Sequence, residues 1–338
     1  MKRRISILLV SILLVSIFTG CSGGGSTAKP APSVDKKLYT IGTASMGGSS
    51  YAIGSAIATV LNNHINDAQF SVQATAGSNQ DIEFMRDGEC DLGVLINLGT
   101  ADAWKSKGAF KGKEPATYLR NLIYVGTWAQ HILVSSGSGV KSFSDLRGKK
   151  VSVGSAGSGV EDVTRRVCTS LGMNYLQGTP PFMVEYMAVS NASESLANGL
   201  LDVAFDTQTV PASAETSAMS PGKVKLLSYT DEELKTVMAA DPFSHVIIPA
   251  GTYPNQDYDV STVGFTDSLV ARSDLDEEVA YRIVKTLMEN LDELQQICPQ
   301  LGVVTPETVM VGMSVPVHKG GIKYYEEKGI KIPDNLKE

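Results

Sequence analysis

Apolar residues along this chain follow two periods that take turns. Residues 38–42 have the spacing of a strand. After a Gly/Ser stretch, Ile53, Ala56, Ile57, Val60 and Leu61 recur at i, i+3, i+4, i+7 and i+8, one buried helix face. Residues 70–76 read as a second strand. Ser78 then stands three residues before Asp81, in the position of a helix cap, and the helix that follows stops near Gly88. Residues 91–96 are an almost unbroken apolar strand. The same order recurs further on: residues 150–153, a helix with Val160, Val163, Val167 and Leu171 on one side, then residues 182–189, 194–198 and 202–205. Apolar strands separated by helices predict a parallel sheet covered on both faces, and so an α/β body.

The two series echo each other in letters as well as in period. FSVQATAGSN at residues 70–79 and FMVEYMAVSN at residues 182–191 share Phe, Val, Ala, Ser and Asn in register. A Gly/Ser loop precedes each, MGGSS at 46–50 and AGSGV at 156–160, and a Gly-x-x-Asp step follows each, Gly88 to Asp91 and Gly199 to Asp202. Two lobes of one design are expected, with Phe70 and Phe182 in their cores. The long apolar stretches 122–135 and 262–271 lie at the junctions, and two crossings make a hinge where one would make a loose tandem. This divides the body into a discontinuous lobe, residues 38–132 plus 263–338, and a second lobe, residues 133–262. One long amphipathic helix, about 276–297, is expected to pack through Ala280, Ile283, Val284, Leu287, Leu291 and Leu294.

Residues 1–20 have a different character. Lys2, Arg3 and Arg4 precede an apolar run over 5–18 that is short for a bilayer span, and small residues lead up to Cys21. The pattern resembles a bacterial lipobox: a cleaved signal peptide, lipidation of Cys21, and an extracytoplasmic chain tied to the membrane. Residues 21–37, rich in Gly, Ser and Pro, read as a flexible tether. Cleavage removes three cations and no acids, so the formal charge of −7 becomes −10, which speaks against nucleic acid or an anionic lipid surface as partner. Cys90, Cys168 and Cys298 are widely spaced and read as small apolar residues; no disulfide framework, metal site or cofactor is expected, and a monomer is.

The loops are where chemistry is expected. Residues 42–49, GTASMGGS, have P-loop glycine spacing but carry Gly48 where the lysine belongs, so nucleotide hydrolysis is not expected. What remains is a strand end, exposed backbone N–H groups and a helix N-terminus, which suits a carboxylate. Residues 154–159, GSAGSG, offer the same in the second lobe. Ligands of open α/β sheets bind beyond the strand C-termini, where both loops lie. Ser78, Asn97, Asp206 and Gln208 follow as further candidates at strand ends, although Ser78 and Ser190 also read as helix caps. Asp206 would either attract a ligand cation or cap the next segment. His64, His131, His245 and His318 are scattered, and no H-E-x-x-H or G-x-S-x-G occurs, so no enzyme is expected.

Taken together, IGTASMGGSSYAIG (41–54), SGVKSFSDLRGKKVSVGSAGSG (138–159), IPAGTYPNQDYDVSTVG (248–264), MENLDEL (288–294) and VPVHKGGIKYYEEKGI (315–330) resemble the TAXI-type extracytoplasmic receptors of TRAP transporters. The resemblance covers nearly the whole body. It implies a periplasmic-binding-protein type II-like fold: two Rossmann-like lobes, a hinge and a central ligand cleft. It further implies capture of a small organic acid or amino acid, such as glutamate, a dicarboxylate or a 2-oxoacid, for delivery to a TRAP membrane subunit. Family contacts would carry over to Gly47, Gly48, Ser49 and Tyr51 in the first loop and to Ala156, Gly157, Ser158 and Gly159 in the second. The first loop departs from the family's GTGGTGG-Tyr-Tyr pattern at Ala44, Ser45, Met46 and Ser50, so Met46 enters the candidate pocket in place of threonine.

Overall fold

A computed structural model describes residues 36–337. The expected signal, Cys21 and the expected tether up to residue 35 lie outside these residues; Lys37, expected to end the tether, already belongs to the first strand. In chain order the elements are β1 (Lys37–Gly42), α1 (Ser49–His64), β2 (Ala68–Gln73), α2 (Ser78–Asp87), β3 (Leu92–Ile96), α3 (Asn97–Trp104), β4 (Leu119–Ser135), β5 (Lys150–Ser152), α4 (Gly159–Ser170), β6 (Met183–Glu185), α5 (Val189–Ala197), β7 (Val203–Gln208), α6 (Ser213–Met219), β8 (Val224–Leu226), α7 (Asp231–Ala240), β9 (Ser244–Ile248), β10 (Val260–Arg272), α8 (Glu277–Glu289), α9 (Leu291–Ile297) and α10 (Lys319–Glu327).

One sheet runs through the body in the order β2-β1-β3-β10-β4-β7-β5-β6, with β8 added to β4 and β9 to β10. The order reads the same from either end. In the first half β1 pairs in parallel with β2 and β3, and in the second half β5 does the same with β6 and β7. The expected parallel sheet is therefore mixed, because the two central strands, β4 and β10, run antiparallel to each other and to the strands beside them. The chain leaves the first half along β4 and returns along β10, which requires opposite directions. Both strands are long because each pairs into both halves. β4 meets β10 over residues 119–129 and β7 over 129–134.

The echoed sequences occupy equivalent places. Phe70 and Phe182 sit in and beside β2 and β6 and are buried, as expected. The two Gly-x-x-Asp steps do the same work: the Asp91 carboxylate accepts a hydrogen bond from Thr40 N at 2.8 Å, and the Asp202 carboxylate accepts one from Lys150 N at 2.9 Å. Each aspartate takes the backbone donor just before the pairing of β1 with β3, or of β5 with β7, begins.

Three expectations change. Residues 182–189 are strand only over β6, and α5 begins at Val189. Ser78 and Ser190 do not cap: the cap positions of α2 and α5 are Gly77 and Ala188, and neither makes a side-chain cap bond. The tail helix is two helices, interrupted at Asn290, whose φ of −125° and ψ of 36° are not helical and whose amide donates to Thr286 O at 2.8 Å. Its apolar stripe is buried as expected at Ala280, Ile283, Val284, Leu287 and Leu294.

Candidate functional site

The C-terminal ends of β1 and β3 face those of β5 and β7 across the middle of the sheet. Between them lies a cavity of about 30 Å³, with walls from both halves. Three helices of at least 10 residues begin at it: Gly48 and Ser49 of α1, Gly77 and Ser78 of α2, and Ser158 and Gly159 of α4 all line it. First-turn N–H groups have no acceptor within their own helix, and each N-terminus carries roughly half a positive charge. Of the three, only α4 is capped by the side chain of its own N-cap residue, Ser158 Oγ accepting from Glu161 N at 3.0 Å. No charged side chain lines the cavity among the described residues.

Trp128 completes one wall from β4. Its indole nitrogen is buried and has no hydrogen-bond partner among the described residues. A buried donor left in that state costs about 1–3 kcal/mol, which an acceptor in the cavity would recover. Two acids nearby do not oppose a bound anion. Asp81, packed over Gly42, and Asp267, opposite Ile96 and Gly126 in the sheet, are both pushed well above the ordinary carboxylate range by burial, which favours their neutral forms.

The two halves touch around the cavity. Ser49 N donates to Gln208 Oε1 at 2.8 Å, and the Ser49 and Thr209 hydroxyls are 3.0 Å apart. The approach is close enough to need glycine. A Cβ on Gly159 would lie 2.5 Å from Ile96 Cδ1, and one on Gly77, whose φ is +124°, would lie 3.5 Å from Ser158 Cβ. Farther out, Arg166 of α4 forks between Asp162 of its own helix at 2.8 Å, Asp241 at 2.7 Å and Asp102 of α3 in the first half.

Of the residues singled out from sequence, the fold brings Gly48, Ser49, Ser78, Ser158, Gly159 and Gln208 together on this cavity. Met46 is 67 % exposed and does not line it. Gly47 edges a separate open groove between α5 and α6. Ala156 and Gly157 face another depression, beside Asn79 and Phe110. Tyr51, in the first turn of α1, does not line the cavity. Ser78 Oγ is occupied by Ile96 N, which donates to it at 3.0 Å. Asn97 turns into the sheet, where its amide donates to Thr266 and Ser268 hydroxyls at 2.9 and 3.0 Å. Asp206 is buried one layer behind Gln208.

His131 is not a cavity residue. Its Nε2 accepts from Tyr253 Oη at 2.8 Å, since that hydroxyl already accepts from Ala212 N, and Nδ1 donates to Ala129 O at 3.0 Å. Burial pushes its pKa down to about 4, so the ring is neutral. Trp128, Ile96, Thr209 and Arg166 were missed from sequence. Trp128 was near at hand, in a stretch read as a crossing, but strand alternation alone does not say which side of a crossing faces the cleft.

The NMT1-like family model matches residues 41–329. A solved protein of Bordetella bronchiseptica RB50 is 14 % identical with a TM-score of 0.51, over 89 % of this chain and 86 % of its own. The periplasmic aliphatic sulphonate binding protein of Escherichia coli is 17 % identical with a TM-score of 0.43, over 89 % and 96 %. An ancestral arginine-binding protein bound to arginine is 16 % identical with a TM-score of 0.48, over 79 % and 99 %. At such identities the likeness is one of fold, a mixed α/β body with a central sheet flanked by helices.

Proposed function

This chain belongs to the NMT1-like family, and from that premise we propose that it is a solute receptor, not an enzyme, which captures a small carboxylate-bearing ligand between two lobes and releases it to a membrane permease. The observation that carries the reading is the convergence of three helix N-termini on one cavity between the halves of the sheet, lined also by Trp128, whose buried indole N–H has no partner among the described residues. Such a site offers many donors and no point charge, which fits a carboxylate held by backbone. The lobes are residues 38–132 plus 263–338 and residues 133–262, with β4 and β10 as the hinge. A ligand larger than the present cavity enters by opening at that hinge.

The chain is exported, cleaved before Cys21 and held by lipid at that cysteine, with residues 21–37 as tether. The permease is of the TRAP type, as the TAXI-like blocks favour. Co-purification with a TRAP membrane subunit supports this, and capture by an ABC-type permease or a sensor kinase instead overturns it. A melting screen of organic acids and amino acids tests the core of the proposal. A ligand at 100 times its Kd stabilises the folded state by about 2.7 kcal/mol. A screen with no rise in Tm, on protein shown by native mass spectrometry to carry no retained molecule, overturns the receptor reading. Ser158→Phe, which fills the cavity at α4, should abolish the rise.

A further inference from the structure

Gln208 ends β7 in the second half, yet its carbonyl caps the N-terminus of α1 in the first. An amide side chain can be turned either way, and here the chemistry of its partners decides. Ser49 N–H can only donate, so the oxygen must face it. On the other side Gln208 Nε2 lies 3.2 Å from both oxygens of Asp206, which also accept Thr207 N at 2.6 Å, so the nitrogen must face the carboxylate. Both constraints agree.

We propose that Asp206 is a positioning residue that locks Gln208 with its carbonyl toward the cleft, so that this corner of the site accepts a hydrogen bond and selects ligands bearing a hydroxyl or ammonium donor beside their carboxylate. The inference rests on the receptor reading above and narrows its ligand to 2-hydroxy or 2-amino acids over 2-oxo acids or plain carboxylates. A carbonyl oxygen has two acceptor sites. Ser49 N–H uses one, and Ser49 and Gln208 both line the cavity. Asp206 itself is fully buried and is not a ligand contact. Behind it Glu215, also fully buried, is held well above the ordinary carboxylate range by burial and by the charge of Asp206; burial raises Asp206 too, opposed by hydrogen bonds from Glu215, Thr207 N and Gln208. An acceptor held this rigidly penalises an analogue that cannot donate to it.

The test uses two matched pairs, lactate with pyruvate and glutamate with 2-oxoglutarate, titrated by calorimetry into the mature chain. In each pair that binds, the donor-bearing member should bind at least 10-fold tighter. Asp206→Asn removes the carboxylate that holds the Gln208 amide nitrogen, leaves Ser49 N–H as the one remaining constraint on the carbonyl, and should reduce that ratio below about 3. Glu215→Gln, which leaves the contacts of Gln208 with Ser49 and Asp206 in place, should keep the ratio. If Asp206→Asn does not fold, Gln208→Met, of similar length and with no acceptor, should show the same collapse. A purely structural role would weaken both members of a pair equally. An unchanged ratio in Asp206→Asn or Gln208→Met, or a wild type preferring the 2-oxo member, overturns this inference and leaves the receptor reading standing. Binding of no member of either pair, when other carboxylates do bind, also overturns it. Binding of no carboxylate at all overturns the receptor reading and this inference with it.

Discussion

Replacing Arg166 with methionine should separate the two halves energetically while leaving the cavity wall intact. The guanidinium is 12 % exposed and serves three carboxylates, Asp162 and Asp241 at 2.8 and 2.7 Å and Asp102 across the gap. Removing one partner of a buried ion pair costs about 3–5 kcal/mol, because the other charge is left in low dielectric. Two features place Arg166→Met at the low end. Asp162 keeps Arg165 as a partner, and Asp102 and Asp241 are 18 % and 20 % exposed, so water can reach them. A loss of about 3 kcal/mol, at roughly 2 °C per kcal/mol for a body of this size, lowers Tm by about 6 °C. Arg166→Lys should lose about half as much, since a point charge cannot fork among three acceptors. Adding Asp102→Asn to Arg166→Met should recover about 1 kcal/mol by removing the stranded charge. Thermal melts at pH 7 and moderate salt read all three. A Tm for Arg166→Met within 1 °C of wild type, or no recovery in the double variant, would refute the claim that this side chain ties α3 to α4.

Three further outcomes follow from the same geometry. Because burial holds His131 neutral with a pKa of about 4, against about 6.5 unfolded, the stability it contributes is complete above pH 6.5 and is lost as pH falls toward 4. The stability gap between wild type and His131→Asn should therefore shrink by about 3 kcal/mol from pH 7 to pH 4 in urea titrations, and a constant gap would contradict the buried neutral ring. Gly159→Val places a side chain where Ile96 now lies 2.5 Å from the Cβ position, so ligand affinity should fall at least 10-fold with Tm lowered by less than 3 °C; full affinity would show that the halves need not approach this closely. Trp128→Phe removes the one indole donor on the cavity and should weaken carboxylate binding about 5- to 10-fold, as calorimetry would show; unchanged affinity would take Trp128 out of the site.

The plan of the fold was readable in the chain because it is written twice. Phe70 and Phe182, the glycine loops before α1 and α4, and the aspartates 91 and 202 fall on equivalent positions of a sheet whose order is the same from both ends. The antiparallel course of β4 and β10 was not readable, since the stretches 122–135 and 262–271 show where the chain crosses but not its direction. The loops were legible as helix starts facing a cavity for a local reason, glycine and serine at a helix start after a strand. Met46, Gly47, Ala156 and Gly157 belong to those loops by sequence but lie on their outer turns. The last residues of each loop, where the helix begins, reach the cavity, joined in the first loop by Ala44 and Ser45.

The most informative failure concerns Asn97 and Gln208, which stand six residues after Asp91 and Asp202 in the two repeats. Both are amides at the end of an equivalent strand, and from sequence they carry equal claims to the ligand. Their neighbours separate them. Beside Asn97 the hydroxyls of Thr266 and Ser268 on β10 take its donors and turn it into the sheet. Beside Gln208 the residue two places earlier is Asp206, on the same face of the strand, and its carboxylate draws the amide nitrogen inward and leaves the oxygen at the cleft. Leu95, two places before Asn97, can do nothing of the kind. Two halves of one plan thus differ at the site by the residue two places upstream, and on the proposed reading that asymmetry would let one wall of the cleft receive a carboxylate while the other receives a donor.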